Sequence, residues 1–277
     1  MKIKELPSSI YHTWRLKSLS LNRLQKAPSE TIPVVISLTS IPSRLDKIHI
    51  VIRCLLTQSK CPQKIVLWLH QSLEHEIPSS LNRLVGDVFE IRFSELDCPH
   101  LKLVESLRAF PKLPIITSDD DFIYEDQWVE HLYNEHIAHP NSVIANQLRR
   151  ITYGTDGDLL PYKAWRYKHA EHQESQLLLP IGSKGVLYPP AVFDSVVLDD
   201  QLFLKLAPRA DDLWFKAMSF LKGTPSRRIA NPSSDFIPII GTRKYTLATS
   251  NIKQDGNRTQ WDALRNHFNF KTPDPKL

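Results

Sequence analysis

Leu113-Pro114-Ile115-Ile116-Thr117-Ser118-Asp119-Asp120-Asp121 is an Ile-rich run that ends in three like charges. Bounded by proline and acids, it reads as a buried strand. A strand that ends in consecutive carboxylates needs a cation to collect them. In an extended segment alternate side chains point the same way, so Asp119 and Asp121 are expected on one face. Two carboxylates on one face suit a hard divalent ion, Mn2+ or Mg2+, that also holds phosphate oxygens. The same acids also read as solvated turn residues capping the next helix, because acids gather at helix starts.

Working outward, Pro33 to Thr39 (PVVISLT) is a Val/Ile-rich strand, and Ser40 to Arg44 is a polar turn. Leu45, Ile48, Ile52, Leu55 and Leu56 fall on one helical face. Lys64 to Leu69 and Val88 to Phe93 read as the next two strands. Leu101, Val104, Leu107 and Ala109 suggest a helix before the acid-tipped strand. Beyond the acids, Val129, Leu132, Tyr133, His136 and Ile137 predict a helix, and Ser142 to Ala145 a fifth strand. Strands alternating with helices predict βαβ units: an α/β, Rossmann-type, mostly parallel sheet flanked by helices.

Residues 150–180 break this rhythm with Tyr153, Tyr162, Trp165, Tyr167, His169 and His172. A long irregular segment in a compact domain is usually functional or mobile. Its aromatics read equally as packing and as platforms for sugar faces, since Tyr and Trp join an apolar body to a polar tip. Gly182-Ser183-Lys184-Gly185-Val186-Leu187-Tyr188-Pro189-Pro190 holds two of the chain's eight glycines. They permit close backbone approach to a ligand, or mark a plain turn into a strand. In Pro208-Arg209-Ala210-Asp211-Asp212-Leu213-Trp214, two carboxylates enter a helix whose apolar face is Leu213, Trp214, Ala217, Met218 and Leu221. They cap that helix, and its dipole should keep a carboxylate there ionised, as a general base must be. From about residue 223 the pattern weakens toward a frayed tail.

The 277 residues suffice for one large α/β domain or two small ones. No signal peptide is evident, and no apolar run approaches the ~20 residues needed to span a bilayer, so a cytoplasmic location is expected. Cys54, Cys61 and Cys98 lack a CxxC pair and read as buried or free thiols. The net charge of +5 comes without a dense Lys/Arg run bearing aromatics, which argues against nucleic acid as a partner. Residues 1–30 carry Lys2, Lys4, Arg15, Lys17, Arg23 and Lys26 against Glu5 and Glu30. Ile10, Trp14, Leu21 and Leu24 form a stripe there, interrupted at Lys17 and Ser18. The stripe reads as packing on the domain, or as a peripheral contact with the inner face of an anionic membrane.

The Thr39–Arg44 turn (TSIPSR), the strand ending in DDD, the GVLYPP segment and the ADDLWFKAM helix occur in that order. Together, over residues 33–223, they resemble bacterial glycosyltransferases of the GT-A fold that build lipopolysaccharide or capsular glycans. The resemblance implies a nucleotide-sugar donor, a glycan or lipid-linked acceptor, and Mn2+ or Mg2+ on a DxD motif. Asp119 and Asp121 would engage the metal, with Asp119 and Asp120 also contacting the donor. The Thr39–Arg44 turn would border the base, with Arg44 on phosphate or base, and Lys102 near the uridine or diphosphate. Gly185, Tyr188 and Trp165 would lie on the acceptor side. Asp212 is the first choice for the base and Asp211 the second. Two positions depart from the pattern: Cys98 stands where the family favours Gly, and Lys184 where it tends to carry another Gly. The expected organisation is a basic helical segment (1–30), a GT-A-like catalytic domain (31–250), and a C-terminal helix and tail (251–277).

Two other functions fit paired aspartates. Metal-dependent phosphoryl or nucleotidyl transfer uses them too, though the chain has no P-loop. A non-catalytic sugar-binding protein on the same fold is the third reading.

Overall fold

The computed structural model describes residues 3–166, 174–233, 236–242 and 255–270. Tyr167, His169, His172 and the 271–277 tail lie outside them. The chain opens with helices α1 (Leu6–Lys17) and α2 (Leu21–Gln25), then β1 (Ile32–Thr39), α3 (Leu45–Leu55) and β2 (Pro62–His70). The short α4 (Ser79–Asn82) leads to β3 (Phe89–Ser94), α5 (Leu101–Ala109) and β4 (Ile115–Thr117). Next come β5 (Phe122–Ile123), α6 (Trp128–Ala138), β6 (Val143–Ala145), β7 (Leu148–Arg150), β8 (Glu174–Ser175), β9 (Leu178–Pro180) and β10 (Val186–Tyr188). The chain continues through α7 (Asp200–Leu206), α8 (Asp211–Leu221), β11 (Ser226–Arg228), β12 (Ile237–Pro238) and α9 (Gly256–Phe268).

The central sheet has the order β3-β2-β1-β4-β10-β6-β11-β8. β3, β2, β1 and β4 are parallel to one another, β10 is antiparallel to both its neighbours, and β11 is parallel to β6. The α/β class and the mostly parallel sheet flanked by helices are those expected. β1 shows why: Val34, Ile36 and Leu38 enter one apolar cluster with α3 and α6, while Val35 enters the other with α5, α8 and α9. A strand covered by helices on both faces reads as an unbroken apolar run.

Several local expectations change. β4 stops at Thr117, and Asp120 and Asp121 lie in a turn. The alternation that would put Asp119 and Asp121 on one face therefore ends before it reaches them. Ile137 is 61% exposed, so the buried face of α6 is Trp128, Val129, Leu132 and His136. The described part of 150–180 is not wholly irregular: β7 and β9 form an antiparallel pair, and β8 joins the edge of the main sheet. Beyond residue 223 the chain adds β11 to that sheet and packs α9 on α8 through Trp261 and Leu264. The N-terminal stripe is not one face. α1 ends at Lys17, docking through buried Ser9 and Leu16, whereas Ile10 and Trp14 are exposed and Leu24 alone of the four is buried. Among the described residues no helix is long and apolar enough to cross a membrane.

Strands β1, β2 and β3 progress outward in one direction, and β4 then returns to the other side of β1. The strand order therefore reverses between β1 and β4. In open α/β sheets, ligands bind outside the carboxyl ends of the strands at such a reversal. The segments at that place are Ser40–Arg44, following β1, and Ser118–Asp121, following β4.

Candidate active site

The two segments are cross-linked. Ser40 Oγ donates to Asp120 Oδ2 at 2.5 Å, and the Arg44 guanidinium pairs with the same carboxylate. Arg44 also lies 3.6 Å from Asp121 Oδ2 and donates from Nε to the Thr242 carbonyl at 3.0 Å. Burial pushes the Asp120 carboxyl above its ordinary value, against the pull of Arg44 and Ser40. Thr39 is the last residue of β1, partly exposed beside this knot. Ser40 was not among the expected site residues. Its only sequence signal is its place inside the TSIPSR turn.

Asp119 turns the other way. Its carboxylate accepts from Lys102 Nζ at 3.2 Å, while its backbone N–H donates to the buried Tyr124 hydroxyl at 2.8 Å. Lys102 projects from the first turn of α5, whose Leu101, Leu103 and Val104 are buried. The Lys102 ammonium also lies 3.2 Å from Asp211 Oδ2, in the first turn of α8. One ammonium thus ties the acid triplet to the acidic pair, which sequence reading treats as separate clusters. Burial works against the Lys102 charge, but Asp211 and Asp119 outweigh it and hold its pKa well above the usual lysine value.

Asp211 and Asp212 differ sharply in environment. Burial tends to raise the Asp211 carboxyl, yet Lys102 overcomes it and keeps the group below the ordinary carboxylate range. For Asp212, burial and the adjacent Asp211 charge raise the carboxyl to about 8, opposed by Lys102 and by the Gly182 N–H. That N–H points at both carboxylate oxygens of Asp212, 3.1 Å from each. The expectation that the helix dipole alone keeps Asp212 ionised is therefore corrected. A dipole effect of about 0.3–1 kcal/mol is smaller than the burial and like-charge effects acting here.

His100 is a second residue the sequence did not flag. It is fully buried, stacked on Phe203 with ring centroids 4.4 Å apart, and neither ring nitrogen has a partner among the described residues. Burial lowers its pKa to about 4, so it faces Asp211 as a neutral ring.

The three residues expected on the acceptor side are well packed in the interior. Trp165 is fully buried, donates from Nε1 to the Leu160 carbonyl at 2.8 Å, and borders the cavity lined by Arg149 and Lys184. Tyr188 is 3% exposed and packs on Phe193 and Phe215. Gly185 adopts φ +96°, and a Cβ there would fall 2.3 Å from the Trp128 indole, so close packing on Trp128 requires this glycine. Lys184, beside it, sets its ammonium 4.1 Å from the ring centres of Phe122 and Phe236. Cys98 is a free, partly buried thiol whose pKa burial raises to about 11.

Among the described residues no group of three or more His, Cys, Asp or Glu side chains is arranged to hold a metal ion. The acids at the β1/β4 reversal are nevertheless hard oxygen donors. Five carboxylates, Asp119 to Asp121 with Asp211 and Asp212, gather on two cations, Arg44 and Lys102. Mg2+ and Mn2+ usually take one or two carboxylates and complete their shell with water and substrate phosphates. The donor set fits such an ion.

No protein-family model matches the chain, and no curated protein is similar to it at a significant level. Among solved structures it is similar to 4-diphosphocytidyl-2C-methyl-D-erythritol synthase from Anaerococcus prevotii. There the TM-score is 0.44 and the identity 10%, over 82% of this chain and 96% of that one. It is also similar to residues 1–349 of S. aureus TarS, alone (TM-score 0.46) and in complex with UDP (TM-score 0.47). Both comparisons with TarS give 12% identity over 87% of this chain and 73% of that one. Likenesses at this level carry no argument about the reaction.

Proposed function

We propose that the chain is a metal-dependent glycosyltransferase that moves a sugar from a nucleotide-diphosphate donor, a UDP-sugar, to a glycan or lipid-linked acceptor. The observation that carries this reading is Lys102 held between Asp119 and Asp211 beside the β1/β4 reversal. It couples a phosphate-and-metal end to a proton-accepting end across one ammonium. Asp119 and Asp121 would hold Mn2+ or Mg2+, which when bound supplies charge stabilisation to the departing diphosphate. Thr39 and the Ser40–Arg44 turn would border the nucleotide, with Arg44 steadying Asp120 and reaching toward phosphate.

In this reading Asp212 takes the proton of the attacking acceptor hydroxyl. A carboxylate raised to about 8 accepts a proton far more readily than an ordinary one, and a base works best with its pKa near the operating pH. Asp211, kept ionised by Lys102, raises the basicity of its neighbour. The Gly182 N–H orients the Asp212 carboxylate. Basic residues of α1 and the exposed Ile10, Tyr11 and Trp14 would hold the enzyme at the inner face of an anionic membrane carrying the acceptor.

The test is incubation with a panel of UDP-, GDP- and CDP-sugars plus Mn2+, with identification of the released nucleotide and sugar product. UDP release with sugar transferred supports the reading. Pyrophosphate or nucleoside monophosphate as product would replace it with nucleotidyl or phosphoryl transfer. Binding of sugars without any turnover, acceptor extracts included, would replace it with a sugar-binding protein.

A further inference from the structure

Strand β3 (Phe89–Ser94) is one edge of the central sheet and pairs with β2 alone. The parallel ladder fixes which way its backbone faces. The Ile65 N–H donates to the Val88 carbonyl at 2.8 Å, and Ile65 is in register with Phe89. In a parallel pair, alternate residues turn their N–H and C=O toward the neighbouring strand. Val88, Glu90 and Arg92 therefore face β2, whereas Phe89, Ile91 and Phe93 turn their backbone groups outward. The Phe89 carbonyl agrees with this, since it accepts from the Gly86 N–H at 3.1 Å rather than from β2. No described residue bonds the outward groups of Ile91 or Phe93. An edge of this kind is a template for another strand.

Native edges are often blunted by charge, and β3 carries Glu90 and Arg92. Their placement is specific. Arg92 Nε lies 2.7 Å from Glu90 Oε1, and the guanidinium sits 5.6 Å and 5.0 Å from the Trp68 and Phe110 ring centres. Rings and carboxylate thus hold the arginine at the edge with its side chain still 38% exposed. On the other face of the strand Ile91 and Phe93 are half-buried. With Ile77 and the exposed Val85 they line a groove of about 430 Å³.

A second copy of β3 can lie antiparallel to the first about a two-fold axis. An axis through Glu90 sets the two glutamates opposite each other, and an axis through Arg92 does the same with the arginines. Like charges directly opposite are destabilising. An axis through Ile91 overlaps the strands in full from Phe89 to Phe93 and brings the outward groups of Ile91 together. It also sets Glu90 of each copy opposite Arg92 of the other, and Phe89 opposite Phe93. Four charges then alternate in sign on one face, and a row of apolar side chains forms on the other. Phe89-Glu90-Ile91-Arg92-Phe93 is self-complementary about its centre, as a two-fold interface requires.

We infer that β3 is a self-association surface, at which two copies of the chain pair antiparallel about Ile91 and join their sheets. The inference is independent of the glycosyltransferase reading. The β1/β4 reversal lies inward of β2, so the donor end is not part of this interface. Sedimentation velocity over a concentration series should show a monomer–dimer equilibrium with Kd of about 1–100 µM, weakening as salt rises. Glu90→Arg and Arg92→Glu, each alone, set like charges opposite and should weaken it about tenfold or more. The two together restore unlike pairs and should recover most of the affinity. Ile91→Pro removes an outward N–H that β2 does not use, so it should abolish the dimer while thermal unfolding stays cooperative. Ile91→Cys should cross-link under mild oxidation, with the wild-type chain and its three cysteines as the control. Hydrogen-bonded antiparallel partners stand about 5.5 Å apart at Cα, within disulfide reach.

A chain that stays monomeric well above that concentration range overturns the inference. So does a dimer indifferent to Ile91→Pro and to both charge reversals. Cross-linking through Arg92→Cys but not through Ile91→Cys would overturn the register and the charge argument with it. Loss of the dimer with Trp14→Ser, and not with Ile91→Pro, would move self-association to α1 and overturn the role of β3.

Discussion

Replacing Lys102 with methionine tests the central connection of the site. The Lys102 side chain is 9% exposed and lies 3.2 Å from both Asp119 and Asp211, whose side chains are 30% and 12% exposed. Removing one partner of a buried ion pair costs about 3–5 kcal/mol, because a charge is left in a low-dielectric site. Asp119 is exposed enough to recover hydration, so the loss comes mainly from Asp211, and the lower end, about 3 kcal/mol, is expected. At about 2–4 °C per kcal/mol for a chain of this size, Lys102→Met should melt about 6–12 °C lower than wild type. Adding Asp211→Asn removes the stranded charge and should restore most of that loss. The pH dependence should change sign. In wild type the depressed Asp211 carboxyl contributes stability that is present above about pH 4 and is lost as pH falls through its lower folded value. Without Lys102, burial raises that carboxyl, and this group then favours folding as pH falls. Urea unfolding of wild type, the single variant and the double variant at pH 5 and pH 8 measures all three effects. A loss below about 1 kcal/mol, or a double variant no more stable than the single, would refute the bridging role, since the penalty for a stranded buried charge is larger.

Asp212→Asn should reduce transfer by about 10²–10⁴-fold and leave UDP affinity unchanged, read by turnover and calorimetry. It should also stabilise the protein increasingly between about pH 4 and pH 8, because the wild-type carboxyl, raised to about 8, loses folding stability as pH rises through that window. Near-normal turnover removes Asp212 from the mechanism. Asp121→Asn should abolish Mn2+-dependent thermal stabilisation by UDP; equal stabilisation in both proteins would rule out Asp121 as a ligand. Lys216 is buried with Ser226 Oγ as its hydrogen-bond partner at 3.1 Å, and burial lowers its pKa to about 7. Its cost to folding is full below pH 7 and fades toward the ordinary lysine value, so Lys216→Met should gain roughly 2–4 kcal/mol at pH 7 and little near pH 10. A denaturation midpoint unchanged at pH 7 contradicts this. Trp14 is 67% exposed, whereas the other five tryptophans are 0–6% exposed. A blue shift of emission with anionic vesicles at low salt, absent with zwitterionic ones, is therefore expected if α1 meets a membrane; no shift restricts α1 to its packing role.

Much of the scaffold was legible in the sequence because burial on both faces writes itself as an unbroken apolar run. Strand β1, with Val34 and Val35 entering opposite clusters, is such a case, as are α3 and α8 with their spaced apolar faces. The acid triplet and the acidic pair were equally visible, since charge at the end of an apolar run is a local signal. Local signals misled where they ran past an element's end. Alternation placed Asp119 and Asp121 together, but β4 ends at Thr117, and the turn sends Asp119 to Lys102 and the next two acids to Arg44. Aromatic composition offered Trp165 as a platform and the family resemblance put Tyr188 on the acceptor side, but neither signal reports burial, and both side chains are buried. The strand order, the antiparallel β10 and the meeting of Asp119 with Asp211 on one ammonium depend on contacts between distant residues. Tertiary structure alone decided them, and with them the unequal ionisation of Asp211 and Asp212. Electrostatic environment depends on distance and burial in space, and neighbours in the chain record neither.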